Sequence, residues 1–336
     1  MNKKNLINGI KRAMYHTGFS PLPLRINAAL TDRCNFSCPT CSKWGQKPSK
    51  EMTAGEWKNI FKKLKGKALT HRATLTGGEP LLRHDILDII SYAKNSGFYI
   101  SLITNGSLLN EKKLKALEKA GVDNLVVSLN GSAARTHDPT RGVKGSFDHI
   151  VSILPKFQHF NIKTNIETII MGTNIDELEI LAEWAKERRL HGIVYQALAD
   201  RRVHYSFQNK KMADIPPDWR ESDPFWAKDP ERIAGAIEAL IQKQKQGYPI
   251  LNAKNQLKKM IEYYRDPAAV KKMICLGGVS NLFITPSGRM RLCHGLEPIG
   301  DIKKDPPART WFLKAGKIRK QAKTCENMCR LLNNYM

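Results

Sequence analysis

No apolar stretch in this chain approaches the ~20 residues that a membrane-spanning helix needs, so a transmembrane protein is not expected. No apolar signal segment opens the sequence, which removes the usual route to a disulfide-forming compartment. No internal repeat appears beyond an alternation of strand-like and helix-like segments. Acidic residues are scarce, 31 against 55 basic ones, for a net charge of +24. The excess sits at the two ends: residues 1–72 hold 15 basic and 3 acidic residues, residues 254–330 hold 17 and 6, and residues 73–253 are almost balanced at 23 and 22. No nucleic-acid recognition motif accompanies this charge, so nucleic acid is not an expected partner. Cysteine is also sparse, seven in 336 residues, but it is grouped: three lie within eight residues and four within the last 62.

The first group is Cys34-Asn35-Phe36-Ser37-Cys38-Pro39-Thr40-Cys41. Three thiolates leave one iron of a four-iron cubane without a protein ligand, free to bind a substrate or cofactor. A tetrahedral zinc site would want a fourth Cys or His nearby, and the nearest histidines, His16 and His71, lie outside the loop. Behind the strand-like Ala73–Thr76 comes Gly77-Gly78-Glu79-Pro80. The glycines let a ligand approach the backbone, Pro80 stiffens the turn, and Glu79 offers a carboxylate. Alone, the four residues could be a tight turn.

Together the two motifs resemble the radical S-adenosylmethionine (SAM) superfamily, over about Leu24 to Ala199. The resemblance implies that Cys34, Cys38 and Cys41 hold a 4Fe–4S cluster whose open iron is chelated by the amino and carboxylate groups of SAM. Reductive cleavage of the sulfonium then gives a 5′-deoxyadenosyl radical that takes a hydrogen atom from the substrate. It also implies SAM contacts from Gly77, Gly78, Glu79 and Pro80, from Asn105 and Ser128 at later strand ends, and from Arg141, whose guanidinium matches a carboxylate. The residue before the third cysteine is usually aromatic in the family; here it is Thr40, leaving Phe36 or Trp44 as aromatic candidates for the adenine.

Cys275, Cys293, Cys325 and Cys329 are enough to ligate one further cluster. Leu282–Cys293 reads as a hairpin turning at Pro286-Ser287-Gly288. With the Cys325/Cys329 pair it resembles the auxiliary-cluster extension called Twitch, a shorter relative of the SPASM domain, which would need about three more cysteines. This implies a second, auxiliary 4Fe–4S cluster. Structural zinc on four thiolates and disulfides are the competing readings; the reduced triplet and the missing signal peptide argue for a reducing, cytoplasmic location.

Strand-like runs at Leu24–Leu30, Ala73–Thr76, Phe98–Thr104, Asn124–Leu129, Ile162–Ile170 and Gly192–Leu198 alternate with helix-like Thr53–Leu64, His84–Ser96, Asn110–Ala120, Ser146–Phe157 and Ile175–Arg189. Thr53 and Glu56 form a capping-box signature. The fold class expected is α/β: a partial (β/α)6 TIM-like barrel followed by a small C-terminal hairpin-and-helix domain, with the chemistry at the strands' C-terminal ends. Ile166-Glu167 and Tyr195-Gln196 could face substrate or SAM there, or be structural. The domains expected are a basic amphipathic helix over 1–23, the core over 24–199, an excursion over 200–270 and the auxiliary domain over 271–336. The first would pack under the barrel or touch an anionic membrane. The excursion, with helical Asp229–Gln246 and Ala253–Tyr264, covers the active site or decorates the outside; Arg201, Arg202 and Trp219 are its candidate substrate contacts.

The expected function is radical SAM chemistry giving net oxidation or crosslinking of a peptide or sugar-like substrate. If every thiol ligates iron, none remains to return a hydrogen atom, which disfavours a cysteine-dependent epimerase. A redox-neutral epimerase or lyase is the alternative, and a zinc-stabilised basic RNA-binding protein a more distant one. No ~90-residue peptide-recognition domain is expected ahead of the barrel, which weakens the peptide reading. The expected partners are SAM, an acidic electron donor such as flavodoxin or ferredoxin, and an anionic small molecule or peptide.

Overall fold

The computed structural model describes residues 20–41, 50–198, 219–272, 279–293 and 297–323. Its strands are β1 (Arg25–Thr31), β2 (Arg72–Gly77), β3 (Tyr99–Thr104), β4 (Asn124–Ser128), β5 (Lys163–Ile170), β6 (Gly192–Ala197), β7 (Asn281–Ile284), β8 (Arg289–Arg291) and β9 (Gly300–Asp301). They form one unclosed sheet in the order β6-β5-β4-β3-β2-β1-β7-β8-β9. Every pairing from β6 to β7 is parallel; β7–β8 and β8–β9 are antiparallel. This is the expected partial barrel, and the expected hairpin is β7–β8. The hairpin joins the main sheet, because β7 runs parallel to β1 from Arg25↔Asn281 to Ala28↔Ile284.

Side-chain alternation sorts the barrel's two faces. Ile26, Ala28 and Leu30 on β1, Leu125 and Val127 on β4, and Ile166, Thr168 and Ile170 on β5 are buried under the crossover helices. The alternate residues, Asn27, Ser128 and Glu167 among them, are half-buried on the inner face. The first helix among the described residues, Ala54–Leu64, starts where the capping box predicts: Thr53 Oγ1 accepts from Glu56 N, and Glu56 accepts from Thr53 N at 2.8 Å. It buries Trp57, Ile60, Phe61 and Leu64, a stripe at helical spacing.

An eight-residue helix, Ala134–Arg141, forms where the sequence predicts none, with Pro139 inside it. Its anchors come from just beyond β4: Asn130 N donates to His137 Nδ1 and Asn130 Nδ2 to Thr140 Oγ1, both at 3.0 Å. Helices Pro230–Lys245 and Lys254–Arg265 fill the second half of the excursion, close to the predicted spans. They are tied to the C-terminal ends of β5 and β6: Tyr264 Oη donates to Ile170 O and accepts from Leu198 N, and Tyr263 Oη donates to Leu198 O. The N-terminal helix over 1–23 falls almost wholly outside the described residues, as do Trp44, Arg201 and Arg202. Trp219 opens a short helix, Trp219–Ser222.

Candidate functional site

The cysteine loop leaves the end of β1 and immediately meets the turn after β2. Gly78 N donates to Thr31 O and Glu79 N to Arg33 O, both at 2.8 Å. The crossing is so close that a Cβ on Gly77 would sit 2.3 Å from Thr31 O, and one on Gly78 2.1 Å from Arg33 O. Gly77 also has φ +140. The glycines are therefore required by the protein's own backbone, and not only by ligand approach as expected from the sequence.

Glu79 is fully buried. Its Oε1 accepts from Leu81 N and Thr104 Oγ1 at 2.9 Å, and its Oε2 from Asn105 N at 2.7 Å. Burial raises its pKa, against these hydrogen bonds and Arg141, which lower it. The carboxylate thus ties the turn to the end of β3, and Pro80 begins the short 3-10 helix Pro80–Leu82 that follows. Asn105 extends the tie to the cysteine loop: its Nδ2 donates to Asn35 Oδ1 at 2.9 Å, and its Oδ1 accepts from Ser107 N at 2.9 Å. Asn35 was not singled out by sequence; its partners lie about 70 residues away.

Within the loop Cys34 is half-buried, Cys38 buried and Cys41 exposed, and Cys41 N donates to Cys38 O at 3.0 Å. Burial raises the Cys34 and Cys38 thiols; neighbouring thiols raise them further and Arg141 pulls both back. Among the described residues no three His, Cys, Asp or Glu side chains converge tightly enough to chelate a single ion. The three thiols nonetheless lie near enough to influence one another electrostatically.

Arg141, at the end of the Ala134–Arg141 helix, acts electrostatically on Cys34, Cys38, Glu79, His137 and Glu167. Its guanidinium lies 5.7 Å from the Phe36 ring centroid. Phe36 is buried, with that face already covered by Arg141. The Nε of Arg141 is a buried donor with no partner among the described residues. A guanidinium with an unpartnered Nε, close enough to Cys34 and Cys38 to act on both, fits an anionic group such as a carboxylate. His137 is buried and its pKa lowered to about 3, first by burial and then by Arg141, so it stays neutral.

Ser128, the last residue of β4, is paired in register with Glu167 on β5, and the two share the inner face. Burial raises Glu167 to about 7, with Arg141 opposing. Gln196, paired in register with Ile169, is half-buried on the same face, whereas Ile166 and Tyr195 turn the other way into the core; Tyr195 Oη donates to Leu178 O at 2.6 Å. Of the other cysteine group, Cys293 is buried just beyond β8, and Cys275, Cys325 and Cys329 lie outside the described residues. No helix among the described residues is long and apolar enough to cross a membrane.

Residues 29–185 match the Radical SAM superfamily model. The AdoMet-dependent heme synthase of Methanosarcina barkeri (strain Fusaro / DSM 804) is 30% identical over 86% of this chain and 82% of its own length. The PqqA peptide cyclase of Rhizobium meliloti (strain 1021) is 26% identical over 82% and 69%. Streptococcus suis SuiB bound to S-adenosylmethionine shares the fold, with TM-score 0.70 at 15% identity over 94% of this chain and 72% of that one. The chain anSMEcpe with bound AdoMet gives TM-score 0.65 at 16% identity over 93% and 88%. With the matched segment spanning the cysteine loop, the glycine turn and Arg141, and with a relative similar over most of both chains, this chain belongs to the Radical SAM superfamily and is an enzyme, of a family that binds S-adenosylmethionine at a 4Fe–4S cluster.

Proposed function

We propose that Cys34, Cys38 and Cys41 hold the SAM-binding cluster, that Arg141 takes the SAM carboxylate, and that the chain carries out a net oxidation or crosslinking of a peptide. When bound, the cluster and SAM would supply a 5′-deoxyadenosyl radical, which removes a hydrogen atom from the substrate. The observation that carries this reading is the locked crossing of the cysteine loop over the Gly77–Pro80 turn, with the unpaired Arg141 Nε beside it. The turn's backbone and Ser128 would face the cofactor, and Glu79 and Asn105 would hold its bed rigid through the bonds described above. Cys275, Cys293, Cys325 and Cys329 would hold an auxiliary cluster able to accept the second electron of an oxidation. Peptide is favoured over a sugar-like substrate by the PqqA peptide cyclase relatives. The heme synthase relative favours a second reading, oxidation of a carboxylate-rich haem precursor, which a chain of net charge +24 would suit. The same basic surface would dock an acidic flavodoxin or ferredoxin as electron donor. Oxygen-free reconstitution with iron and sulfide tests the core: about eight irons per chain and reductant-dependent 5′-deoxyadenosine are expected. Full iron loading with no 5′-deoxyadenosine would refute it.

A further inference from the structure

The loop that carries the three cysteines departs at Thr31 and returns at Glu51, and one buried side chain closes its base. Arg83 is 5% exposed, and all five of its N–H donors meet an acceptor. Nη1 donates to Leu30 O at 2.9 Å and Glu51 Oε2 at 3.3 Å; Nη2 donates to Met52 O at 2.9 Å and Asp85 Oδ2 at 2.7 Å; Nε donates to Asp85 Oδ1 at 2.8 Å. Leu30 precedes the loop and Met52 follows it, so one planar guanidinium fixes both ends. Glu51 reinforces the closure from the other side. Its Oε1 accepts from Thr31 Oγ1 at 2.5 Å and Asp32 N at 3.2 Å, and its Oε2 from Arg33 Nη2 at 3.4 Å. Arg83 is also the cap of the short helix that begins at Pro80, its N–H donating to Pro80 O at 3.1 Å. The glycine turn and the base of the cysteine loop are therefore held by the same residue.

We infer that Arg83 is a positioning residue, which with Glu51 sets where the three thiols stand relative to the Gly77–Pro80 turn and so how a cofactor held by that turn reaches the cluster. The inference rests on the cluster assignment proposed above. Lysine cannot replace arginine here, because a single ammonium with three donors cannot span Leu30 O, Met52 O and both Asp85 oxygens. A side chain that served stability alone would alter the melting temperature but leave a loaded cluster's response to SAM unchanged.

The test compares wild type, R83K and the milder E51Q, which keeps an acceptor oxygen at the loop base. Each is reconstituted without oxygen. Retained iron, the electron paramagnetic resonance spectrum of the reduced cluster during a SAM titration, and the melting of the metal-free form are then recorded. The expected result is a SAM-induced spectral change in wild type whose half-saturation moves at least about fivefold higher in both variants, or iron retention below about half of wild type in a variant whose metal-free form melts like wild type. Wild-type half-saturation and iron in both variants would overturn the positioning role while leaving the cluster assignment standing. Absence of any iron–sulfur signal in wild type would overturn the assignment itself, and this inference with it.

Discussion

Replacing Glu167 with glutamine should flatten the dependence of stability on pH. The carboxylate sits on the inner face of β5 and has no hydrogen bond or ion pair among the described residues. Burial lifts its pKa from 4.5 to about 7, with Arg141 holding it down from a higher value. Between those two pH values the folded chain binds a proton that the unfolded chain has released. The folded-state advantage is therefore complete below 4.5 and is lost as pH rises through about 7. At 1.36 kcal/mol per pH unit the change has a ceiling of about 3 kcal/mol. Water reaching a half-buried side chain reduces this to roughly half. Glutamine is neutral throughout, so E167Q should match wild type near pH 4.5 and exceed its stability by about 1–2 kcal/mol at pH 8. Urea unfolding of metal-free, reduced protein at several pH values measures the difference, in which every other titrating group cancels. R141Q should move the wild-type inflection above 7, because it removes the cation that favours the ionised form. Parallel pH profiles for wild type and E167Q, within about 0.5 kcal/mol, would refute the reasoning.

Three further outcomes follow from the site. Gly78→Ala places a methyl group 2.1 Å from Arg33 O, a backbone atom that cannot rotate away; the loop crossing should open, with iron retention falling several-fold, and wild-type iron in G78A would disprove the crossing. Glu79→Gln substitutes an amide for a carboxylate that accepts three hydrogen bonds, so at least one buried donor faces another donor; a loss of about 2–4 kcal/mol is expected by denaturant unfolding, and an unchanged midpoint would contradict it. Cys293→Ser should lower iron from about eight to about four per chain while 5′-deoxyadenosine formation persists, whereas Cys38→Ser should abolish that formation; C293S with undiminished iron would remove Cys293 from the auxiliary set.

The strands were legible because apolar residues alternate or run together between turn residues, and the β7–β8 hairpin because Pro286-Ser287-Gly288 supplies its turn; Gly288 has φ +95. The Ala134–Arg141 helix was not, since Pro139 argues locally against helix and the bonds that overrule it come from Asn130 before the helix and Gly145 after it. The glycines were found but only partly explained, because their constraint is the backbone at Thr31 and Arg33, more than 40 residues earlier. Arg83 and Glu51 were missed for the same reason: in a strongly basic chain an isolated Arg and Glu 32 residues apart look like solvated surface charge. Tyr195 could have been placed better, since Ile193, Tyr195 and Ala197 alternate with Val194 and Gln196 and mark it as outward-facing.

The pairing of β7 with β1 gives the C-terminal hairpin a task independent of any metal. Without it, β1, the strand that launches the cysteine loop, would present a bare flank of amide hydrogens and carbonyls from Arg25 to Ala28. Such an unprotected margin recruits strands from other chains. Truncation before residue 279 should therefore yield a sticky, self-associating core rather than a smaller working enzyme.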